Sequence, residues 1–434
     1  MDTVTEDEMA ATMALNGGLG EIHRNNAAEQ QADLVRRVKE RMRLIEDDPP
    51  MVSETASIDD ALHLLEKRQR GYVIAYRGKN YHGEIVGMAT SRDFEAGNLS
   101  DPITKVMTPL KRKGGKSLIV VSTNTTSAQA IKIMQENRIE KIPVIDKRGR
   151  FVGVYTLKDF ENFQKYPNAV LDKKGRLIIG AAMGVHEIDI DRAHKLVDAG
   201  VDIIFLDIAH SHHKYTADMV KRLKIKEKIK VPIIVGNVAT AEAVLFAYKL
   251  GADGIKVGIG PGFVCRTRDV SGTGIPQITA ILEAREALKS KKNPPPLIAD
   301  GGIRQPGDVP KAIAAGADSV MIGTIFAGTD KSPGEIVKHN GTLHKKVRGM
   351  ALKKVQEDRM KLGDSTTNPK LYAPEGTERY IAYQGAVEDL LFTFIGGLRS
   401  GMSYVGAHTI AEMQKAPLIH ISTHGSNEQH RGII

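Results

Sequence analysis

One segment concentrates the chemistry of this chain: GIKVGIGPGFVCRTRDVSGTGIPQ, residues 254 to 277. A short apolar run ends in Gly258, Gly260, Pro261 and Gly262, and the only cysteine, Cys265, follows. Glycines there let the backbone approach a ligand and aim successive N–H or C=O groups at it. A thiol on such a loop, flanked by Arg266 and Arg268, is placed to ionise and attack an electrophile. The competing reading is a small buried hydrophobe, the common fate of a lone cysteine. The loop's place at the end of a strand favours function.

Other strand ends carry matching polar groups. LDIAHSHH gathers Asp207, His210, His212 and His213; a metal reading is weak there because a loop of histidines has no defined ligand geometry. VGNVAT supplies Asn237 and Thr240. IADGGI sets Asp300 beside Gly301 and Gly302, which suits a ribose diol. GTIFAGT (323 to 329) offers backbone N–H groups and Thr324 to a phosphate. Tight turns alone explain one such glycine motif, but not four in succession.

These groups need a scaffold that ends several strands in one place. From Leu177 onward, short apolar runs recur: LIIGAAMG, DIIFLDIAH, VPIIVGNV, GIKVGIG, PLIADGGI and SVMIGTIFAG, with helical stretches between. Three follow a matching phrase: DAGVDII, KLGADGI and AAGADSV. This pattern predicts a (β/α)8 barrel with its site at the strand C-termini; an open doubly wound sheet is the alternative. Ahead of it, Thr3 and Glu6 have capping-box spacing for a helix over 3–15, GGLGEIHR (17–24) reads as a buried strand, and a charged helix spans 28–45. That makes seven strands, one short of closure.

DDPP at 47–50 reads as a domain boundary, and a repeat with a period near 60 residues follows it. Each copy has a Ser/Thr-rich start, an amphipathic helix, a strand, then G-x-(I/F)-V-G and T-x-x-D-F. Each copy is small for a core of its own, so the two should dock together. The expected borders are 1–47 for the barrel start, 48–166 for the pair (48–105 and 106–166) and 167–434 for the rest of the barrel.

The totals exclude several classes. The chain has 434 residues, 41% hydrophobic and 26% charged, with no apolar run long enough to span a bilayer. The acidic start MDTVTEDEMA is no signal peptide, and one cysteine forms no intrachain disulfide, so a cytoplasmic enzyme is expected. The formal charge of +9 is spread out and aromatics are only 5%. Attraction of phosphorylated metabolites explains that charge better than nucleic acid does.

MDTVTEDEMA, NGGLGEIHRN, GAAMGV, LDIAHSH, GNVAT, VGIGPGFVCRTR, IADGGI, GTIFAGTDKSPGE, RGM, APEG and IGGLRSGMSYVGA together resemble the IMP dehydrogenase / GMP reductase family over nearly the whole chain. The repeat resembles the paired CBS modules that IMP dehydrogenases insert after the second barrel strand. The expected fold is therefore a TIM (β/α)8-type barrel, lacking the family's first strand, with an inserted CBS pair.

The resemblance implies an NAD-dependent dehydrogenase of guanine nucleotide synthesis. Cys265 would attack C2 of IMP, hydride would pass to NAD, and the thioimidate would hydrolyse to XMP, with Thr267 assisting proton transfer and Arg359 activating water. It also implies that Asp300 holds the ribose and that Gly302, Gly323 and Thr324 hold the phosphate. Met350 and Glu375 would contact the base, and Asp207, Asn237, Gly258 and Gly260 would form the nicotinamide side. Carbonyls of Gly260, Gly262 and Cys265 would bind potassium with Glu428 of a neighbouring subunit. A homotetramer is implied, with adenine or guanine nucleotides bound to the insert near Thr90, Asp93, Thr156 and Asp159. Those T-x-x-D pairs read equally well as helix caps.

Three departures keep other activities open. Phe263 stands where the dehydrogenases carry a phosphate-contacting Ser, and Val347 stands where they carry Tyr before RGM. In the flap stretch 355–370, Met360 follows Arg359 where a Tyr completes the water-activating pair. A GMP reductase, converting GMP to IMP with NADPH, retains the Cys, Thr and Glu and needs no activated water. The insert, the DIAHSH motif and the C-terminal tail favour the dehydrogenase. The third reading is a non-catalytic nucleotide-binding regulator built on the same modules.

Overall fold

The structure, a computed structural model, describes residues 1–42, 45–46, 48–68, 70–78, 84–111, 117–363 and 373–421. The chain divides into two compact units: Met1–Arg41 with Leu177–Ile434, and Met42–Arg176.

The first unit is built on seven parallel strands: β1 (Glu21–Ile22), β2 (Gly180–Met183), β3 (Ile203–Asp207), β4 (Ile233–Val238), β5 (Gly254–Val257), β6 (Leu297–Asp300) and β7 (Ser319–Met321). They stand side by side in chain order. A doubly wound sheet reverses its strand order midway, so that alternative is overturned. The sheet curls as the wall of a TIM-type barrel. Among the described residues no strand bridges β7 to β1.

The three matching phrases mark one device used three times. In each, the helix ends on a left-handed glycine: Gly200 (φ 88°), Gly251 (φ 75°) and Gly316 (φ 116°). The Asp two residues later then accepts from the backbone N–H that opens the neighbouring strand. Asp202 takes Ile179, Asp253 takes Ile233 and Asp318 takes Leu297, each at 2.8 Å. A cation completes each joint: Lys39, Lys224 and Arg285. These charge-assisted bonds fix the strand bottoms, and with them the register that presents polar groups at the top. Gly180 belongs to the same construction, since a Cβ there would sit 2.5 Å from the buried Phe205 ring.

The second unit holds two similar halves. In one, Met51–Ser53 runs parallel to Tyr72–Arg77, which pairs antiparallel with Glu84–Thr90. In the other, Val121–Ser122 runs parallel to Lys141–Ile145, which pairs antiparallel with Phe151–Thr156. Each half has its own core, around Ile58, Val73 and Ile103 and around Met134, Ile142 and Phe160. Tyr72, Ile74, Ile85 and Val154 form a cluster shared by both halves.

Several local expectations need correction. The first helix starts at Asp7, not residue 3, and Glu6 makes no side-chain cap. The Thr3 hydroxyl instead accepts from the Arg348 backbone N–H (3.3 Å), so a tertiary contact replaces the capping box. The strand in 17–24 shortens to Glu21–Ile22, and Gly17, at φ 92°, stands outside the extended run. The helix over 28–45 ends at Arg41.

Candidate active site

Cys265 is half-buried on the loop after β5. Its backbone pairs with Gly376, while Arg266 N–H donates to the Glu375 carbonyl (2.7 Å) and Thr377 N–H to Val264 (3.1 Å). This zipper of distant segments brings Glu375 beside the thiol loop. Gly349 N–H donates to the Thr377 carbonyl, and Gly376 N–H to Ala351, so the Met350 turn joins the same assembly.

The side chains form a short relay. Thr267 Oγ1 donates to Glu375 Oε2 (2.7 Å) and lies 3.0 Å from Cys265 Sγ. A hydroxyl has one proton. With that proton given to the carboxylate, the contact to sulfur requires the thiol to donate to Thr267. Shifting both protons along the chain yields a thiolate and a neutral Glu375 without moving a heavy atom. The flanking arginines contribute differently from expectation. Arg266 turns to Asp269 (3.9 Å), and Arg268 donates to the Ile275 carbonyl (2.6 Å).

The turn after β6 faces this loop. Gly301 and Gly302 both take left-handed φ values (86° and 84°). A Cβ on Gly301 would lie 3.1 Å from the Pro261 ring, so the Asp300–Gly302 turn packs directly on the Gly260–Gly262 loop. Gly258 is stricter still: at φ 146° its Cβ would collide with the Asp300 carbonyl at 2.2 Å. Gly323 caps the short helix Thr324–Ala327 on the next strand end.

Beneath the turn lies a charge cluster. Lys256, 3% exposed, donates to Asp207 Oδ1 (2.7 Å) and Asp300 Oδ2 (2.9 Å). Asn237 Nδ2 donates to Asp300 Oδ2 (2.9 Å) and to the Gly258 carbonyl (2.6 Å). Burial lowers the Lys256 pKa, but Asp207, Asp300 and Glu21 outweigh it and hold the ammonium well above its usual value. Burial raises the Asp207 carboxyl, and Lys256 overcomes that and holds it below the usual range. Burial lifts Glu21, on β1, to about 7, with Lys256 opposing and Asp207 reinforcing the shift. Asn237 Oδ1 and Gln277 Oε1 are buried with no hydrogen-bond partner among the described residues.

Asp207, Asn237, Asp300, Gly258 and Gly302 thus converge, as do Cys265, Thr267, Met350 and Glu375. Lys256, Glu21 and Gln277 were missed. The available signal was a lysine and a glutamate inside runs that otherwise read as buried strands.

Other expected residues stand elsewhere. Thr240 caps the helix Ala241–Lys249 through Ala243 N–H (3.2 Å), so it is spent on structure. Arg359 is half-buried on the helix Lys353–Lys361. Residues 364–370 of the flap stretch, and Glu428, lie outside the described residues. The Gly262 carbonyl already accepts from Cys265 N–H (3.1 Å).

Burial, then the charges of His212 and His213, lower the His210 pKa. Among the described residues no group of His, Cys, Asp and Glu could hold a metal. In the insert, Asp93 Oδ2 accepts from both Thr90 N–H (2.7 Å) and Thr90 Oγ1 (2.8 Å), a turn-closing role. Thr156 ends its strand and Asp159 stands on the helix Leu157–Lys165 that follows. No helix among the described residues is long and apolar enough to cross a membrane.

Comparison with known proteins completes these findings. Residues 1–431 match the model of the IMP dehydrogenase / GMP reductase domain. Inosine-5'-monophosphate dehydrogenase of Staphylococcus aureus strain Mu50 is 41% identical over 436 residues, covering 99% of this chain and 87% of that one. Among solved structures, a cysteine-to-alanine variant of Trypanosoma brucei GMP reductase bound to guanosine 5'-monophosphate superposes with TM-score 0.83. It is 36% identical, covering 99% of this chain and 88% of that one. The same organism's enzyme bound to guanosine 5'-triphosphate gives TM-score 0.73 at 33% identity, covering 97% and 88%.

Proposed function

The chain belongs to the IMP dehydrogenase / GMP reductase family, a family of NAD(P)-dependent oxidoreductases, and from that premise we propose that it is a GMP reductase working through a covalent Cys265 adduct. What favours the reductase over the dehydrogenase is Met360 after Arg359; the covalent chemistry, which both activities would share, is supported by the Cys265–Thr267–Glu375 relay beside the Asp300–Gly302 turn. That relay supplies what reductive deamination needs, a nucleophile and a proton path to the leaving amine. Met360 after Arg359 supports the direction, since hydrolysis of a thioimidate requires an activated water and arginine alone is normally fully protonated. The insert does not argue against it, because the Trypanosoma reductase matches the chain across the insert as well.

In this mechanism the relay delivers the thiol proton to Glu375, and Cys265 Sγ bonds to C2 of the guanine ring. The C2–N2 bond then breaks, and the proton returned through Thr267 leaves with the nitrogen as ammonia. NADPH, when bound, supplies the hydride that C2 accepts. The C2–S bond then breaks, the departing thiolate takes a proton from solvent and Cys265 is regenerated, so one GMP, one NADPH and one proton yield IMP, NADP⁺ and ammonia. Asp300 holds the ribose hydroxyls; Gly302, Gly323 and Thr324 hold the phosphate; Met350 packs on the base. The orphaned Asn237 Oδ1 fits a carboxamide N–H donor, so Asn237 and Asp207 would line the nicotinamide side.

A potassium ion on the Gly260, Gly262 and Cys265 carbonyls would steady the loop. The insert, as a CBS pair, would bind purine nucleotide at Thr90, Asp93, Thr156 and Asp159. Phe392 and Tyr404, 78% and 91% exposed on one helix, suit burial in a homotetramer.

The test measures loss of the reduced-nicotinamide band with GMP and NADPH, together with ammonia release, in wild type and Cys265→Ala. Equimolar ammonia and NADP, absent in the variant, is the expected result. NADH formation from IMP and NAD instead would establish the dehydrogenase, the reading favoured by the Staphylococcus identity. Neither reaction, in folded protein that binds GMP, would leave the regulator.

A further inference from the structure

The mechanism above makes no use of a contact on the edge of the thiol loop: the Arg379 guanidinium lies 4.7 Å from the centre of the Phe263 ring. Phe263 follows Gly262, whose backbone meets the Asp300–Gly302 turn, since a Cβ on Gly301 would stand 3.4 Å from Gly262 N. On its other side, Val264 belongs to one core cluster with Phe326 of the helix Thr324–Ala327. The neighbours of Phe263 thus touch both segments that carry the proposed phosphate donors, Gly302 on one and Thr324 on the other.

Arg379 reaches this place from another part of the chain. Its strand, Glu378–Ala382, follows Gly376, which pairs with Cys265, and leads to Gln384, whose N–H donates to the Gly328 carbonyl (2.8 Å). It therefore runs from the thiol loop to the end of the Thr324–Ala327 helix. In register, Arg379 stands opposite Val347 on the strand Thr342–Arg348. Opposite residues of an antiparallel pair share a face, and Val347 is buried in the same cluster as Val264 and Phe326. The other cations on these two strands are engaged: Lys345 with the Ser332 carbonyl, Lys346 with Glu378, Arg348 with Asp2. Among the described residues, Arg379 has the ring contact and no carboxylate partner. A guanidinium held over an aromatic face keeps its N–H edge free for a forked contact with a phosphate.

We propose that Arg379, held by the Phe263 ring, binds the phosphate of the purine nucleotide and supplies the positive charge that Gly302, Gly323 and Thr324 lack. This rests on the reading of those three residues as phosphate donors. A phosphate monoester carries about −1.5 to −2 charges at neutral pH, and neutral donors alone match it poorly. The arginines beside the thiol do not fill the need, because Arg266 turns to Asp269 and Arg268 to the Ile275 carbonyl. The ring orients the guanidinium before the ligand arrives, so little side-chain freedom is lost on binding.

The test is calorimetric titration of the full chain with IMP and with inosine, which differ only in the phosphate. Arg379→Gln should weaken IMP binding about 10- to 100-fold, the size of a lost charge-assisted contact, and leave inosine binding unchanged. Arg379→Lys should recover part of the IMP affinity, since it keeps the charge and loses the fork. Phe263→Leu should weaken IMP binding about two- to fivefold. In the Arg379→Gln background it should cost nothing further, because the ring acts only through the guanidinium. Arg379→Gln binding IMP as wild type does, or losing IMP and inosine by one factor, would overturn the proposal. So would a loss of NADPH affinity with IMP affinity intact, which would assign the cation to the cofactor's phosphates. Wild type that binds neither IMP nor GMP would sink the functional reading. Wild type that binds IMP, with Arg379→Gln its equal, would leave that reading standing and remove this inference alone.

Discussion

The two halves of the site solve different electrostatic problems. At the rim, Cys265, Thr267 and Glu375 are half-buried, joined by 2.7 and 3.0 Å contacts that pass protons along without separating charge far. Beneath, Lys256 is sealed among carboxylates, and stability there comes from compensation, since a buried ion missing its partner is heavily penalised. The rim can lose one member at little cost in stability, whereas loss of the Lys256 ammonium from the interior is costly. Function at the rim should therefore be separable from stability, and function in the interior should not.

The largest expected effect tests the rim. Cys265→Ala should abolish turnover, a loss of at least about 10³-fold, while leaving the melting temperature and GMP binding near wild type. A variant that unfolds, or one that still turns over, would break the proposed division. Lys256→Met tests the interior from the opposite side. It strips the compensating charge from Asp207 and Asp300 and should cost about 3 kcal/mol, read by denaturant unfolding. The lower part of the usual range is expected because Asp207 and Asp300 side chains are 38% and 25% exposed. No stability change would mean that water, not Lys256, carries the compensation. Thr267→Val then sharpens the rim alone. It keeps shape but cuts the relay, and should lower kcat by about 10²-fold with little change in KM for GMP. A rise in KM alone would make Thr267 a binding group.

The same contrast explains what could be read from sequence. The thiol loop was legible because its signal is local: Gly258, Gly260, Pro261 and Gly262 precede Cys265 within one loop, whereas the role of Thr267 came only through the family resemblance. Glu375 was placed only through the family resemblance, since no local pattern joins it to a residue 108 positions earlier. The strand order was legible from the repeated Gly–Ala/Val–Asp phrase, although its purpose was not. The chain shows three aspartates, but only the fold shows each accepting the N–H that opens a neighbouring strand. The interior cluster was illegible because strands with two buried faces have no alternation. Lys256 and Glu21 there look like interruptions of an apolar run, and whether their side chains meet depends on barrel closure. The capping box at Thr3 failed for a related reason: a tertiary donor, Arg348 N–H, outbid the local one.

The smallest effect probes the interior by pH. Glu21 carries a carboxyl raised from 4.5 to about 7 in the folded chain, by burial first. Below about pH 4.5 it is protonated in both folded and unfolded chains and contributes nothing. Between those values the unfolded chain releases the proton and the folded chain retains it, so folding is progressively penalised as pH rises. Above about 7 the penalty is complete, on the order of 3 kcal/mol for a shift of this size. Glu21→Gln cannot titrate and should escape it. The difference in unfolding free energy between variant and wild type should therefore grow in the variant's favour from pH 4.5 to pH 7.5 and then stay level. Taking the difference removes, to first order, the opposite trend of Asp207, whose lowered pKa adds stability as pH rises. A constant offset at every pH would show that Glu21 ionises freely in the fold. The interior would then be balanced by something other than a neutral acid.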